Sequence, residues 1–294
     1  MVSPKRLLRK LLRYKAPALI FKDGRIGLDE RMPALSPVLV ERGKDDSVLI
    51  IGFCGAKRAG PAWYEFFDTT KALGYSRILL VDNYGLHFHH GIDTERPDFL
   101  SLIAYLRREI AQLRPDKVVC IGSSAGGYAA IAAGHLLGAD YVHAFSPQTL
   151  LRMGLPVFPY HSGRSFLTSL RLYPRHMLSR LRLFLSKRAR RDLFDLAEIL
   201  KKPNGRTTYF VHYCCGLQQD RNHAGHIRGI TGVVSIGYPC STHSVAICLA
   251  KKGFLTKALA IGNQNRLVEM AKGYFPEGLE LSVTRPEMMR DSAA

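Results

Sequence analysis

The sequence predicts an α/β protein built on a mostly parallel, doubly wound sheet. Short apolar runs that suit strands buried on both faces occur along most of the chain. They alternate with stretches whose apolar residues have helical spacing. One run leads into the Gly-x-Ser-x-Gly motif Gly122-Ser123-Ser124-Ala125-Gly126 and then into small, helix-compatible residues. A chain of 294 residues is long enough for one large domain with a buried core.

The other elements follow from local patterns. Asp23-Gly24 is typical of a tight hairpin, here within residues 17–28, and Pro115 ends the helix that precedes the motif. Strands are predicted at residues 38–40, 47–53, 78–82, 118–121, 141–145, 208–213 and 233–236. Four helices are predicted. Three are at residues 62–73, 98–113 and 245–249, and the fourth begins directly after the motif.

Ser124 is predicted to be a nucleophile on a sharp turn from strand to helix. Such a turn brings neighbouring backbones so close at Gly122 and Gly126 that a Cβ would collide. It holds the serine in a strained conformation with its hydroxyl pointing out of the sheet. The motif alone is a weak signal, since the run could be an ordinary loop. The strand before it, the helix after it and suitable partners downstream favour the catalytic interpretation.

Asp220 and His243 are predicted to complete a catalytic triad with Ser124. Serine acyl transfer needs a base beside the hydroxyl and an acid that orients the base. After such an elbow the acid follows one strand and the histidine follows the next. Asp220 and His243 each lie seven residues beyond a predicted strand, on expected loops at the edge of the sheet that carries Ser124. His223 and His226 compete for the role of base, and His223 is either a substrate contact or a loop or helix-cap hydrogen bond.

Two backbone amides are expected to stabilise the oxyanion. One is the Ala125 N–H at the start of the helix, and the other belongs to the turn after the strand at 47–53. Cys54 is the first choice for this second donor and Gly55 the alternative. Lys57 and Arg58 follow directly, so they either hold a substrate phosphate or carboxylate or are solvated loop charges.

A histidine cluster follows the strand predicted at 78–82. His87, His89 and His90 are expected at the same edge as Ser124. No acidic residue lies at ligand spacing, so a metal site is the weakest interpretation. Substrate contact, for which His89 and His90 are the candidates, and an inert loop remain the alternatives. Neither a metal nor a cofactor is predicted.

The formal charge is strongly positive, with 42 Lys and Arg against 24 Asp and Glu, a net +18. Residues 151–206 hold 13 of the cations and three acids, a net +10, and separate two strands. Apolar spacing from Phe166 to Leu200 predicts two or three amphipathic helices, a basic cap over the carboxyl ends of the strands. This charge favours acidic partners such as anionic lipid or a polyanionic glycan. Few aromatic residues and no binding motif in the cap argue against nucleic acid.

The remaining segments complete the predicted organisation. Residues 1–16 are expected to form a basic amphipathic helix, either a peripheral membrane anchor or a helix docked on the domain. The core comprises residues 17–150 and 207–275, interrupted by the cap at 151–206, and residues 276–294 are expected to be a loose tail. The six cysteines lack a Cys-x-x-Cys pair and suit reduced, buried residues of a cytoplasmic protein.

Together these residues resemble the α/β-hydrolase superfamily. The resemblance rests on Gly122-Ser123-Ser124-Ala125-Gly126, Asp220 and His243 and covers residues 45–260. Phe53-Cys54-Gly55 stands where many members carry His-Gly. More narrowly, three segments resemble bacterial hydrolase-like proteins associated with surface-polysaccharide and glycosyltransferase systems. They are Ser124-Ala125-Gly126-Gly127-Tyr128-Ala129-Ala130, Ala144-Phe145-Ser146-Pro147-Gln148 and Asp220-x-x-His223-Ala224.

The leading functional expectation is a serine-dependent hydrolase of an anionic acyl ester, with a glycan-linked or lipid-linked substrate. The first alternative is an acyltransferase that passes the acyl group to a sugar hydroxyl, because the sequence does not separate water from alcohol as acceptor. The second is a protein that keeps the fold without catalysis and binds membrane or another polyanion through its basic surface.

Overall fold

An eight-stranded sheet organises the described part of the chain. The computed structural model describes residues 32–33, 36–55, 63–152, 178, 181–202 and 204–284. The strands are β1 (Met32–Pro33), β2 (Val38–Glu41), β3 (Asp45–Phe53), β4 (Trp63–Tyr64), β5 (Tyr75–Leu80), β6 (Lys117–Ser123), β7 (Tyr141–Phe145), β8 (Thr208–Cys214), β9 (Val233–Tyr238) and β10 (Glu280–Val283). The α-helices are α1 (Phe67–Leu73), α2 (Phe99–Leu113), α3 (Ala125–Leu137), α4 (Leu196–Leu200), α5 (Gln218–His226), α6 (Val245–Lys251), α7 (Leu255–Leu259) and α8 (Leu267–Tyr274).

The strand order is β10-β9-β8-β7-β6-β3-β5-β2, and β1 pairs separately with β4. The six strands from β9 to β5 are parallel to one another. The two edge strands, β2 and β10, are antiparallel. The prediction of a mostly parallel sheet is therefore confirmed, and β6 lies near its centre with the motif at its carboxyl end.

Helices cover both faces of the sheet. Along β3, Leu49, Ile51 and Phe53 belong to one buried cluster, which includes residues of α2, α3, α4 and α5. Val48 and Ile50 belong to the cluster on the other face, which includes residues of α6, α7 and α8. Because side chains alternate along a strand, a continuous apolar run such as that of β3 supplies both layers.

Several sequence predictions need correction. Residues 276–294 are not simply a loose tail, because β10 pairs with β9 from Glu280 to Val283. The helix predicted at 62–73 begins at Phe67, after the short strand β4. Asp220 lies in the first turn of α5 rather than on a loop.

Other predictions fall wholly or partly outside the described residues. These are the amphipathic helix at 1–16, the hairpin at 17–28 and much of the basic cap. The described part of the cap contains helical residues 181–185, a 3-10 turn at Arg191–Leu193 and α4. Within the described ranges, no helix is long and apolar enough to cross a membrane.

The cysteines also differ from the prediction. Cys240 and Cys248 form a disulfide across the loop that carries His243, whereas all six cysteines are expected to be reduced. The pair brackets a loop and the first turn of α6, a spacing of eight residues that is not a recognised sequence signal. Cys54, Cys120 and Cys214 are buried and take no part in the disulfide.

Candidate active site

The motif forms a tight turn between β6 and α3. Ser124 has φ 55° and ψ −114°, a backbone conformation that residues other than glycine rarely adopt. A Cβ on Gly122 would lie 2.2 Å from the Gly126 carbonyl oxygen, and a Cβ on Gly126 would lie 2.1 Å from that of Phe53. The glycines are therefore required by space, as the sequence predicts, and the half-buried Ser124 stands at the carboxyl edge of the sheet.

Ser124, His243 and Asp220 form a continuous hydrogen-bonded path. Ser124 Oγ lies 3.0 Å from His243 Nε2, and His243 Nδ1 lies 2.7 Å from Asp220 Oδ1. With the proton on Nδ1, the imidazole donates to the carboxylate, and Nε2 accepts from the serine hydroxyl. Asp220 is 3% exposed and His243 is 7% exposed, so this path is shielded from water. The arrangement is that of a nucleophile, a base and an orienting acid.

The second oxygen of Asp220 is held by Ser146, directly after β7. Ser146 Oγ donates to Asp220 Oδ2 at 2.8 Å, and the Cys214 N–H donates to the same oxygen at 3.4 Å. Ser146 is buried and has φ 44°. Its N–H donates to the His212 carbonyl at 2.6 Å, which ties it to β8. The carboxylate of Asp220 is thus held by three separate parts of the chain, namely the end of β8, the segment after β7 and the loop after β9.

The predicted oxyanion donors differ in their availability. The Ala125 N–H begins α3, where amides in the first turn have no partner within the helix. The choice of Cys54 as the second donor is wrong for this structure, because its N–H donates to the Leu80 carbonyl of β5 at 3.0 Å. The Gly55 N–H, the alternative, donates to Glu65 Oε2 at 2.9 Å.

His223 and His226 are occupied away from the triad. His223 Nδ1 accepts from the Thr149 N–H at 3.2 Å. His226 Nε2 lies 2.6 Å from Asp195 Oδ1 of the basic cap. Burial raises the pKa of Asp195, but the hydrogen bond and charge interaction with His226, together with hydrogen bonds from the Ala197 and Glu198 backbone, lower it overall. His243 is accordingly the histidine that faces Ser124, and a substrate role for His223 stays a prediction.

The prediction that His89 contacts substrate is wrong. His89 is completely buried, with Nδ1 accepting from the Arg190 N–H at 3.2 Å and Nε2 lying 2.8 Å from Tyr128 Oη. The Tyr128 hydroxyl donates to the Leu193 carbonyl at 2.8 Å. Burial, with smaller effects from neighbouring charges, lowers the pKa of His89 to about 3. This neutral imidazole joins the histidine loop and α3 to the basic cap.

The other two histidines of the cluster have different partners. His87 Nε2 lies 2.7 Å from Gln148 Oε1, and His90 Nε2 bonds Ser186 Oγ in the cap. Burial and the charge of Arg188 lower the pKa of His90. A substrate contact by His90 stays a prediction. Among the described residues, no group of three His, Cys, Asp or Glu side chains is arranged to hold a metal ion.

Comparison with known proteins gives fold likenesses at low identity. No family model and no curated protein matches the chain. The chain is similar to solved esterases and to a solved acetyltransferase. The capsule O-acetyltransferase of Neisseria meningitidis serogroup A is 14% identical, with 65% of this chain and 75% of that chain covered and a TM-score of 0.42. Est2, an esterase of Thermogutta terrifontis, is 14% identical, with 82% and 91% covered and a TM-score of 0.47. Brefeldin A esterase, a bacterial homologue of human hormone-sensitive lipase, is 14% identical, with 88% and 80% covered and a TM-score of 0.44.

Two residues of the site are not among the predicted ones, and two predicted residues lie outside the described part. Ser146 stands in a segment that the sequence resemblance includes, but nothing local indicates that it contacts Asp220, 74 residues away. Glu65 lies in a stretch expected to be helical. Lys57 and Arg58 lie outside the described residues.

Proposed function

We propose that this chain is a serine-dependent enzyme that hydrolyses acyl esters. The observation that carries the proposal is the path from Ser124 Oγ through His243 to Asp220, with distances of 3.0 and 2.7 Å, at a strained turn between strand and helix. Strain of this kind costs about 1–3 kcal/mol and is typical of functional positions. A purely structural turn has no need of a buried base and acid behind its serine hydroxyl.

The reaction follows from these contacts. Ser124 Oγ attacks the ester carbonyl as its proton moves to His243 Nε2, and negative charge develops on the carbonyl oxygen near the Ala125 N–H. Collapse of this intermediate breaks the ester bond, and His243 gives its proton to the leaving alkoxide. Water then attacks the acyl-enzyme while His243 removes its proton, and the acid leaves as His243 returns that proton to Ser124 Oγ. Asp220 orients the imidazole and stabilises its cationic form throughout.

An anionic ester is the substrate class we propose. The support is the basic cap, whose described part exposes Lys187 and Arg188. Arg188 lies close enough to His90 to lower its pKa, and His90 belongs to the loop that follows β5 at the carboxyl edge. Cations at this edge raise the local concentration of an acidic substrate, an effect that salt weakens.

Turnover of p-nitrophenyl acetate by purified protein tests the proposal. We expect Ser124→Ala to lower kcat at least about 1,000-fold, because it removes the nucleophile. Ser282→Ala, the same change on the edge strand β10, is the matched control and should keep the wild-type rate. A Ser124→Ala variant with wild-type turnover would refute the proposed reaction. If the enzyme transfers the acyl group to a sugar hydroxyl, analysis of the products formed with added sugars would detect acylated sugar.

A further inference from the structure

The end of β3 runs against the catalytic turn. Gly126 faces the carbonyl oxygen of Phe53 so closely that a Cβ there would be 2.1 Å from it. A Cβ on Gly55 would lie 3.0 Å from the Ser123 carbonyl oxygen. The amides at positions 54 and 55 are therefore neighbours of Ser124, where a second oxyanion donor is needed.

These two amides have different acceptors in the folded chain. The Cys54 N–H belongs to the sheet, because its acceptor is the Leu80 carbonyl at 3.0 Å. The acceptor of the Gly55 N–H is the carboxylate of Glu65, at 2.9 Å. The Glu65 N–H also donates to Cys54 Sγ at 3.2 Å, so residue 65 contacts both residues of the turn.

The Glu65 carboxylate on the Gly55 N–H is chemically similar to the substrate oxygen that forms in the transition state. Both the carboxylate and the tetrahedral oxyanion are anionic oxygen acceptors, for which an amide N–H forms a strong, charge-assisted hydrogen bond. The amide has a single proton, so a bond to Glu65 weakens any bond to a substrate oxygen. A carboxylate left beside the developing oxyanion would also repel it, because the two charges have the same sign.

We propose that Glu65 is an intramolecular gate of the oxyanion site, and this rests on the proposed acyl transfer at Ser124. In the free protein the Glu65 carboxylate occupies the Gly55 N–H, and Ala125 supplies the remaining donor. An acyl substrate completes the site by displacing the carboxylate from Gly55 with its own carbonyl oxygen. The free protein is consequently held below its full reactivity toward esters.

The rate at which a fluorophosphonate labels Ser124 tests the gate, because the phosphoryl oxygen of this probe requires the same donors as an ester. We expect Glu65→Ala to raise the second-order labelling rate about tenfold, a fraction of the roughly 100- to 1,000-fold effect of one oxyanion donor. Glu65→Gln removes the charge and keeps an acceptor, so its increase should be smaller. Glu269→Gln, on the exposed face of α8, is the matched control and should label at the wild-type rate.

Each other outcome overturns the gate. Slower labelling of both Glu65 variants, in proteins with wild-type unfolding midpoints, would make Glu65 a support of the turn. An unchanged rate would mean that the Gly55 amide takes no part in the reaction. If the wild-type protein is labelled at Ser124 but the Glu65 variants are not labelled faster, the proposed function stands and only the gate is refuted. No labelling in any variant would remove both.

Discussion

The Asp220 carboxylate is held by Ser146 as well as by His243. One carboxylate oxygen accepts from His243, and the other accepts from Ser146 Oγ at 2.8 Å in a fully buried position. A hydrogen bond to a charged acceptor contributes about 1.5–3 kcal/mol, and leaving a buried acceptor unsatisfied costs a comparable amount. Ser146 is therefore expected to orient Asp220, and through it the imidazole.

We predict that Ser146→Ala lowers kcat for p-nitrophenyl acetate about 10- to 100-fold, the rate equivalent of that hydrogen bond. KM should change little, because Ser146 contacts Asp220 rather than substrate. Ser235→Ala is the matched control, since Ser235 is also buried, on β9, and its hydroxyl has no described partner. An equal loss of kcat in both variants would contradict a specific role for Ser146.

At the scale of single residues, the sequence predicts the three groups of the candidate triad better than the contacts around them. Chain order and strand ends suffice to nominate Ser124, Asp220 and His243. Whether the Cys54 amide is free depends on the register between β3 and β5, which a local pattern does not contain. The contact of Ser146 with Asp220 joins positions 74 residues apart and is likewise invisible before folding.

At the scale of elements, the turn between β6 and α3 depends on the absence of a side chain at Gly126. We predict that Gly126→Ala destabilises the protein by roughly 3 kcal/mol or more, because its Cβ would meet backbone that cannot move aside. Gly225→Ala is the matched control in α5, where a Cβ would have no heavy atom within 4 Å. This change should be neutral or stabilise by up to about 1 kcal/mol.

Urea unfolding monitored by circular dichroism measures both effects. Equal free energies of unfolding for Gly126→Ala and the wild type would contradict the close approach of the β3 carbonyls to the turn. Destabilisation by Gly225→Ala of the same size would show that the loss is general to helical alanine substitution rather than specific to the turn.

Elements with strong local patterns are confirmed, and those set by their neighbours are not predicted. The central strands are continuous apolar runs, so β3, β6, β7 and β8 are recognisable in the sequence. The four residues of β10 are mostly exposed and lie in a stretch with two prolines, so only pairing with β9 defines the strand. The first turn of α5 follows β8 too closely to have a periodic pattern of its own.

At the scale of the whole molecule, the core contains neutral histidines as well as apolar side chains. His143 Nδ1 lies 3.1 Å from His212 Nε2, and His212 Nδ1 lies 2.9 Å from Tyr238 Oη, across β7, β8 and β9. Burial lowers the pKa of His143 to about 3 and, with the nearby His143, that of His212 well below its ordinary value. The pKa of His89 is lowered to about 3 as well, mainly by burial.

These depressed values make the folded protein sensitive to acid. In the unfolded chain these histidines bind protons below about pH 6.5, whereas in the folded protein His143 and His89 stay neutral until about pH 3. The free energy of unfolding therefore decreases as the pH is lowered through this range. Between pH 7 and pH 5, His143 and His89 are each predicted to lower the free energy of unfolding by about 2 kcal/mol. Asp82 acts in the opposite sense, because burial raises the pKa of its carboxyl despite four backbone hydrogen bonds.

His143→Phe tests the assignment of this acid sensitivity. His143 stacks on Phe210, and its Nε2 has no described partner, so a phenyl ring keeps the stacking and removes the titrating group together with its Nδ1 contact to His212. Between pH 7 and pH 5 the free energy of unfolding, measured with urea, should decrease by about 2 kcal/mol less in the variant than in the wild type. The same loss in both proteins would contradict a buried, neutral His143.

The proposed reaction depends on the activation of Ser124 by His243 and Asp220. Its most direct test is labelling of the purified protein with a fluorophosphonate, followed by mass spectrometry of the adduct, with Ser124→Ala and His243→Ala as controls. We expect an adduct on Ser124 that is absent from Ser124→Ala and strongly reduced in His243→Ala, because a serine hydroxyl without a base is a weak nucleophile. No adduct in folded wild-type protein, or equal labelling of His243→Ala, would contradict it.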